Sequence, residues 1–74
     1  MRTISDIAKE AQADWKNIYF GAVPYLDAMR ELETVRDKYF YDTGDSVVRY
    51  FLSNATTWRG ETARRIKKEL KAML

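Results

Sequence analysis

Trp58-Arg-Gly-Glu-Thr-Ala-Arg-Arg-Ile-Lys-Lys-Glu-Leu-Lys-Ala-Met-Leu74 is the stretch that decides how this chain is read. Thr62, Ala63, Ile66, Leu70 and Met73 recur at helical spacing, with Trp58 at their start, and make one apolar face. Charged residues occupy the rest. A helix patterned this way has to pack its apolar face on something, so the segment is part of a core before it is a basic tail.

Its charges then sort by angle. Glu61, Arg65 and Glu69 stand four residues apart, so Arg65 can pair with a carboxylate on either side; such pairs contribute about 0.2–0.5 kcal/mol each on an isolated helix. Arg64, Lys67, Lys68 and Lys71 follow the spacing i, i+3, i+4, i+7, which puts them on one stripe opposite the buried face, with Arg59 at its edge. Four cations presented together can neutralise phosphates and release counterions, the driving force of salt-sensitive, sequence-independent nucleic-acid binding. The competing reading is a solvated face that favours the helix C-terminus through the macrodipole.

The rest of the chain shares the helical period. Ile4, Ile7, Ala8, Ala11, Trp15, Ile18 and Tyr19 fall within about one third of a helix circumference, and Thr3 with Asp6 suits an N-terminal cap. Gly21 interrupts the pattern and Pro24 fits the first turn of a second helix, whose stripe is Tyr25, Met29, Leu32 and Val35. Residues 36–42 read either as its continuation or as an aromatic loop, and Asp42-Thr-Gly-Asp45 as a turn in which Asp45 or Gly44 caps the next helix. Val47, Val48, Phe51, Leu52, Ala55 and Trp58 form a third apolar arc; Val47-Val48 and Tyr50-Phe51-Leu52 also have strand propensity, but the recurrence out to Trp58 favours a helix. Thr57 is the expected cap of the last helix, with Trp58 at the corner. The expectation is an all-α domain over residues 1–74: a compact bundle of three to four short helices at about 4–19, 24–36, 46–57 and 58–73.

Composition narrows the function classes. A chain of 74 residues buries only about 60% of its unfolded surface, so regular helix packing or self-association has to supply stability. Cysteine and histidine are both absent, which removes disulfides, thiol nucleophiles and nearly all zinc-type sites. No apolar run approaches the roughly 20 residues of a membrane span, and no signal-peptide core follows Met1, so a soluble cytoplasmic protein is expected. The net charge of +2 is unevenly spread: residues 58–74 carry six Lys/Arg against two Asp/Glu, and residues 1–57 seven against nine.

Two motifs resemble known ones and fail on context. Thr3-Ile-Ser-Asp-Ile-Ala-Lys-Glu-Ala11 resembles the opening of a LacI-type helix-turn-helix, but Gln12 to Ile18 continue the helix where a glycine turn and a reading helix should follow. Asp42-Thr-Gly44 matches the aspartic-protease triplet, yet those enzymes are β-rich and this chain is helical on either side. Asp42 and Asp45 lack the alternating oxygen ligands of a calcium loop. No catalytic, cofactor-binding or metal-binding residues are assigned, and no small-molecule substrate is indicated. Most of the ten aromatics fit core stripes; Tyr39, Phe40, Tyr41 and Tyr50 fit less well and are candidates for a protein-binding patch or a base-stacking platform.

Asp14-Trp-Lys-Asn-Ile-Tyr-Phe-Gly-Ala-Val-Pro-Tyr-Leu-Asp-Ala-Met29 and Ala55-Thr-Thr-Trp-Arg-Gly-Glu-Thr-Ala-Arg-Arg-Ile-Lys-Lys-Glu-Leu70 resemble small proteins carried by conjugative transposons and prophage-like elements of Gram-positive gut bacteria. The resemblance implies a genetic setting, a mobile element in a bacterial cytoplasm, and carries no site residues with it. The function expected is that of a non-enzymatic helical interaction module binding a protein partner or itself. The alternative is an accessory nucleic-acid binder using Arg59, Arg64, Lys67, Lys68 and Lys71.

Overall fold

In the computed structural model, which describes residues 2–74, the Thr3 hydroxyl accepts from the Asp6 backbone N–H at 3.1 Å and opens α1, Ile4–Asp14. Ile4, Ile7, Ala8 and Ala11 face inward, as the period requires. The helix stops five residues short of the expected position 19. Trp15 still donates its N–H to Ala11 O at 2.9 Å but turns extended, with φ −84° and ψ 97°. Its indole is drawn into the core, stacked on Trp58 with centroids 5.6 Å apart and planes 10° from parallel. Phe51 meets both rings edge-on at 6.3 Å. The Trp58 Nε1–H donates to Asp14 Oδ2 at 2.9 Å and ties the end of α1 to a residue 44 positions away.

A single 3₁₀ turn, Phe20–Ala22, feeds α2, Val23–Met29, with Pro24 in its first turn. The sequence pattern runs on to residue 36, but the helix ends at Met29. The reason lies in residues 32–37, whose backbone carbonyls serve two other helices. Leu32 O and Glu33 O accept from the Ser5 and Ile4 N–H groups at 2.8 and 2.9 Å, at the start of α1. Val35 O and Asp37 O accept from Asp45 and Gly44 at 3.0 and 2.6 Å, at the start of α3. Helix N-termini leave backbone donors without intrahelical partners, and this loop supplies acceptors for two of them at once. The Asp37 carboxylate braces it, accepting from the Glu33 and Thr34 N–H groups at 2.9 and 3.1 Å. Those bonds favour the charged form and hold the Asp37 pKa below the ordinary carboxylate range.

Residues 36–42 are neither helix nor plain loop. They enter a hairpin of β1, Lys38–Tyr39, and β2, Asp42–Thr43, antiparallel with Lys38 opposite Thr43 and Tyr39 opposite Asp42. The helix α3, Gly44–Ser53, follows directly. It starts two residues before the expected Ser46 and ends four before 57, and its N-cap position is Thr43 instead of Asp45 or Gly44. A Cβ on buried Gly44 would lie 2.7 Å from Thr34 O and 2.9 Å from Val35 Cα, so only glycine lets the capping loop come this close.

The last helix, α4, covers Glu61–Ala72, inside the expected 58–73. Thr57 does not cap it. Gly60 holds the N-cap position at φ 116° and ψ 178°, a conformation essentially restricted to glycine. Trp58 and Arg59 therefore lie in the connection, where Trp58 is buried as the corner residue. The helix α1 packs on α4 and α2, and α2 packs on α3, around Ile4, Ile7, Leu26, Met29, Phe51 and Ile66. Among the described residues no polar or charged residue is buried. No helix there is long and apolar enough to cross a membrane.

Candidate functional site

Two surfaces carry the candidate residues, and the fold builds them on different helices. The first is aromatic. The two-residue turn of the hairpin is Phe40-Tyr41, with Phe40 81% and Tyr41 101% exposed. Phe40 has φ 56° and is the only positive-φ non-glycine among the described residues. Hairpin turns that need a positive φ take glycine or asparagine by preference, and a bulky residue there is strained. Tyr39, grouped with them on sequence, is half-buried against the core and anchors the hairpin, with Phe40 edge-on to it at 4.7 Å.

Tyr50 sits on α3, half-exposed, with its ring stacked on Tyr25 of α2 at 5.5 Å. At the far end of α3 lies a pair that the sequence pattern did not single out. Tyr19, expected on the buried stripe of α1, is exposed because that helix has already ended, and Phe20 beside it is 80% exposed at a centroid distance of 4.8 Å. A Cβ on Gly21 would approach the Tyr19 ring to 2.6 Å and Asn54 Oδ1 to 2.9 Å, which places this pair at the C-terminal cap of α3. Aromatic side chains thus accompany α3 from the hairpin that feeds it, through Tyr50, to its far end. The sequence signal for Tyr19 and Phe20 was the neighbouring Gly21 and Pro24, which mark a chain leaving helical geometry.

The second surface is α4. Arg65 does not pair within its own helix. It reaches α1 and bonds Glu10. Arg2 holds Glu69 through two bonds, Nη2 to Oε1 at 2.6 Å and Nε to Oε2 at 3.1 Å, and meets Glu10 Oε1 at 2.6 Å. The resulting Arg2–Glu69 and Arg2–Glu10–Arg65 pairs close the seam between α1 and α4. Arg65 and then Arg2 hold the Glu10 carboxyl below its ordinary range, and Arg2 does the same to Glu69.

Arg64, Lys68 and Lys71 are exposed on α4 and Arg59 is exposed in the connection before it. Lys67 departs from the expected exposed stripe. Its Nζ donates back to Trp58 O at 2.7 Å and lies 5.9 Å over the Trp58 ring, so it helps close the α3–α4 connection. Burial, followed by the positive charges of Lys71 and Arg59, pushes the Lys67 ammonium below its ordinary range. Among the described residues, none of Arg59, Arg64, Lys67, Lys68 and Lys71 has a carboxylate within ion-pair distance.

The Asp-Thr-Gly triplet is the junction from hairpin to helix. Asp42 is exposed opposite Tyr39, Thr43 is the N-cap residue of α3, and Gly44 is its first residue. Compared with family models, curated proteins and solved structures, the chain matches none.

Proposed function

We propose that this protein is a small non-enzymatic interaction module that engages a protein partner, or a second copy of itself, through the aromatic row headed by Phe40 and Tyr41. The observation that carries the reading is the coincidence of strain and exposure at Phe40. A left-handed backbone costs a non-glycine residue on the order of 1–3 kcal/mol, and a phenyl ring that is 81% exposed recovers only part of it through its edge contact with Tyr39. Glycine at this position would give the more stable hairpin. An aromatic held there at a cost to folding is accounted for by a contact made outside the molecule. Tyr and Phe are also among the side chains enriched where protein surfaces meet. The setting we propose is an accessory role on a bacterial mobile element, the context that the sequence resemblance implies, and genes adjacent to this one would test it.

The double substitution Phe40→Gly/Tyr41→Ser separates folding from binding. Relief of the backbone strain should raise the midpoint of thermal unfolding while association is lost. Sedimentation velocity at micromolar concentration reads self-association directly. A photo-crosslinking residue in place of Phe40, compared with one in place of exposed Lys9, reads a heterologous partner. A wild-type chain that stays monomeric and crosslinks no more from position 40 than from position 9 would overturn the reading.

A further inference from the structure

The charges around α4 are segregated between two sides of the helix. The carboxylates Glu10 and Glu69 are taken up by Arg2 and Arg65 at the seam with α1. That leaves Arg59, Arg64, Lys67, Lys68 and Lys71 without an acidic partner within ion-pair distance among the described residues, with Glu61 at the helix start as the other carboxylate of α4. The four cations of the helix fall within two turns, about 10 Å of axis at 1.5 Å per residue. A nucleic-acid duplex carries one charge per roughly 1.7 Å of axis, so about six phosphates lie over the same length.

Three further features choose among anionic partners. A helix that binds a lipid surface inserts its apolar face, and here Ala63, Ile66 and Leu70 are buried in the core. Protein interfaces are anchored by buried aromatic side chains, and this face offers none, because Trp58 is only 2% exposed. The same burial denies single strands a stacking platform. No Asn or Gln lies on α4 to read adenine edges.

The geometry points to a second binding surface, in which the exposed flank of α4 with Arg59 docks on the phosphodiester backbone of a nucleic-acid duplex without reading its sequence. Lys67 contributes charge from a fixed position, while Arg64, Lys68 and Lys71 reach phosphates from flexible ones. The surface is independent of the aromatic row, and either can fail without the other.

Fluorescence anisotropy with a labelled duplex DNA of arbitrary sequence is the test, alongside the matching single strand and phosphatidylglycerol-containing vesicles. Binding should fall in the nonspecific range, about 10⁻⁴ to 10⁻⁶ M, with a log–log salt slope of about −3.6 for four phosphate contacts. Lys68→Ala/Lys71→Ala should reduce the steepness of that slope by about 2, since each lost phosphate contact removes roughly 1. Affinity at low salt should drop at least about tenfold. Both side chains are exposed and unpaired, so the thermal transition should stay where it is, and Lys9→Ala/Lys38→Ala should leave binding as it was. The inference is overturned by absence of duplex binding at low salt, by a slope that ignores the loss of Lys68 and Lys71, or by vesicles or the single strand binding more tightly than the duplex.

Discussion

Gly44→Ala tests the close approach on which two helix starts depend. Gly44 is not among the positive-φ residues, so alanine suits its backbone, and the stiffer unfolded chain alone would add about 0.4–1 kcal/mol of stability. The contacts oppose this. The new methyl group would lie 2.7 Å from Thr34 O and 2.9 Å from both Val35 Cα and Val35 O, all of them backbone atoms. Ordinary contact begins near 3.5 Å, so the loop and α3 must separate by on the order of 0.6–0.8 Å. That movement stretches Gly44 N–H to Asp37 O, now 2.6 Å, and Asp45 N–H to Val35 O, now 3.0 Å, toward the limit of hydrogen bonding. Two weakened bonds at about 0.5–1.5 kcal/mol each, with residual overpacking strain, exceed the entropic gain. The expected net loss is about 1–3 kcal/mol, and each kcal/mol lowers the midpoint by about 4–8 °C in a domain of this size. Thermal and urea unfolding followed by far-UV circular dichroism measure it. Amide exchange adds a sharper readout: the same loop carries the acceptors for Ile4 and Ser5, so those amides at the far helix start should also exchange faster. A variant as stable as wild type, or one that loosens α3 and leaves Ile4 and Ser5 protected, refutes the shared-loop account.

Two further expectations follow from the seams of the bundle. Trp58→Phe removes the donor to Asp14 and shrinks the ring stacked on Trp15; a loss of about 1–3 kcal/mol is expected in urea unfolding, and a neutral result would mean the indole pair does not set the end of α1. Acid should weaken the seam between α1 and α4. Glu10 and Glu69 have folded-state pKa values below the ordinary carboxylate value, so their contribution is present above the unfolded value near 4.5 and is lost as pH falls through the lowered ones. The thermal midpoint should therefore decline in that acidic window. Glu10→Gln/Glu69→Gln should flatten the decline without abolishing it, because Asp37 titrates in the same direction. An unchanged slope in the double variant would exclude the network as its source.

The faces that α1, α3 and α4 bury were legible in the sequence alone, whereas α2 turns Leu26 and Ala28 inward beside Met29 and leaves Tyr25 of the expected stripe half-buried. Ile4, Ile7, Ala8 and Ala11, then Val47, Val48 and Phe51, then Ala63, Ile66 and Leu70 are all buried as their spacing requires, because the 3.6-residue period acts locally and needs no knowledge of the partner helix. The all-α class and the cap at Thr3 follow from the same local rules. What only the tertiary structure decided is where each helix ends and which charges are free. Residues 30–36 keep a helical pattern, yet their carbonyls bond the starts of α1 and α3, acceptors that no local rule anticipates. The end of α1 at Asp14 depends on an indole 44 positions away, and that early stop is why Tyr19 and Phe20 face solvent. Arg65 has two acidic neighbours on its own helix and bonds a third on α1, while Lys67 folds back onto Trp58 O. Spacing along one helix shows which groups can meet; which of them do is set by the side chains that another segment brings within a few ångströms.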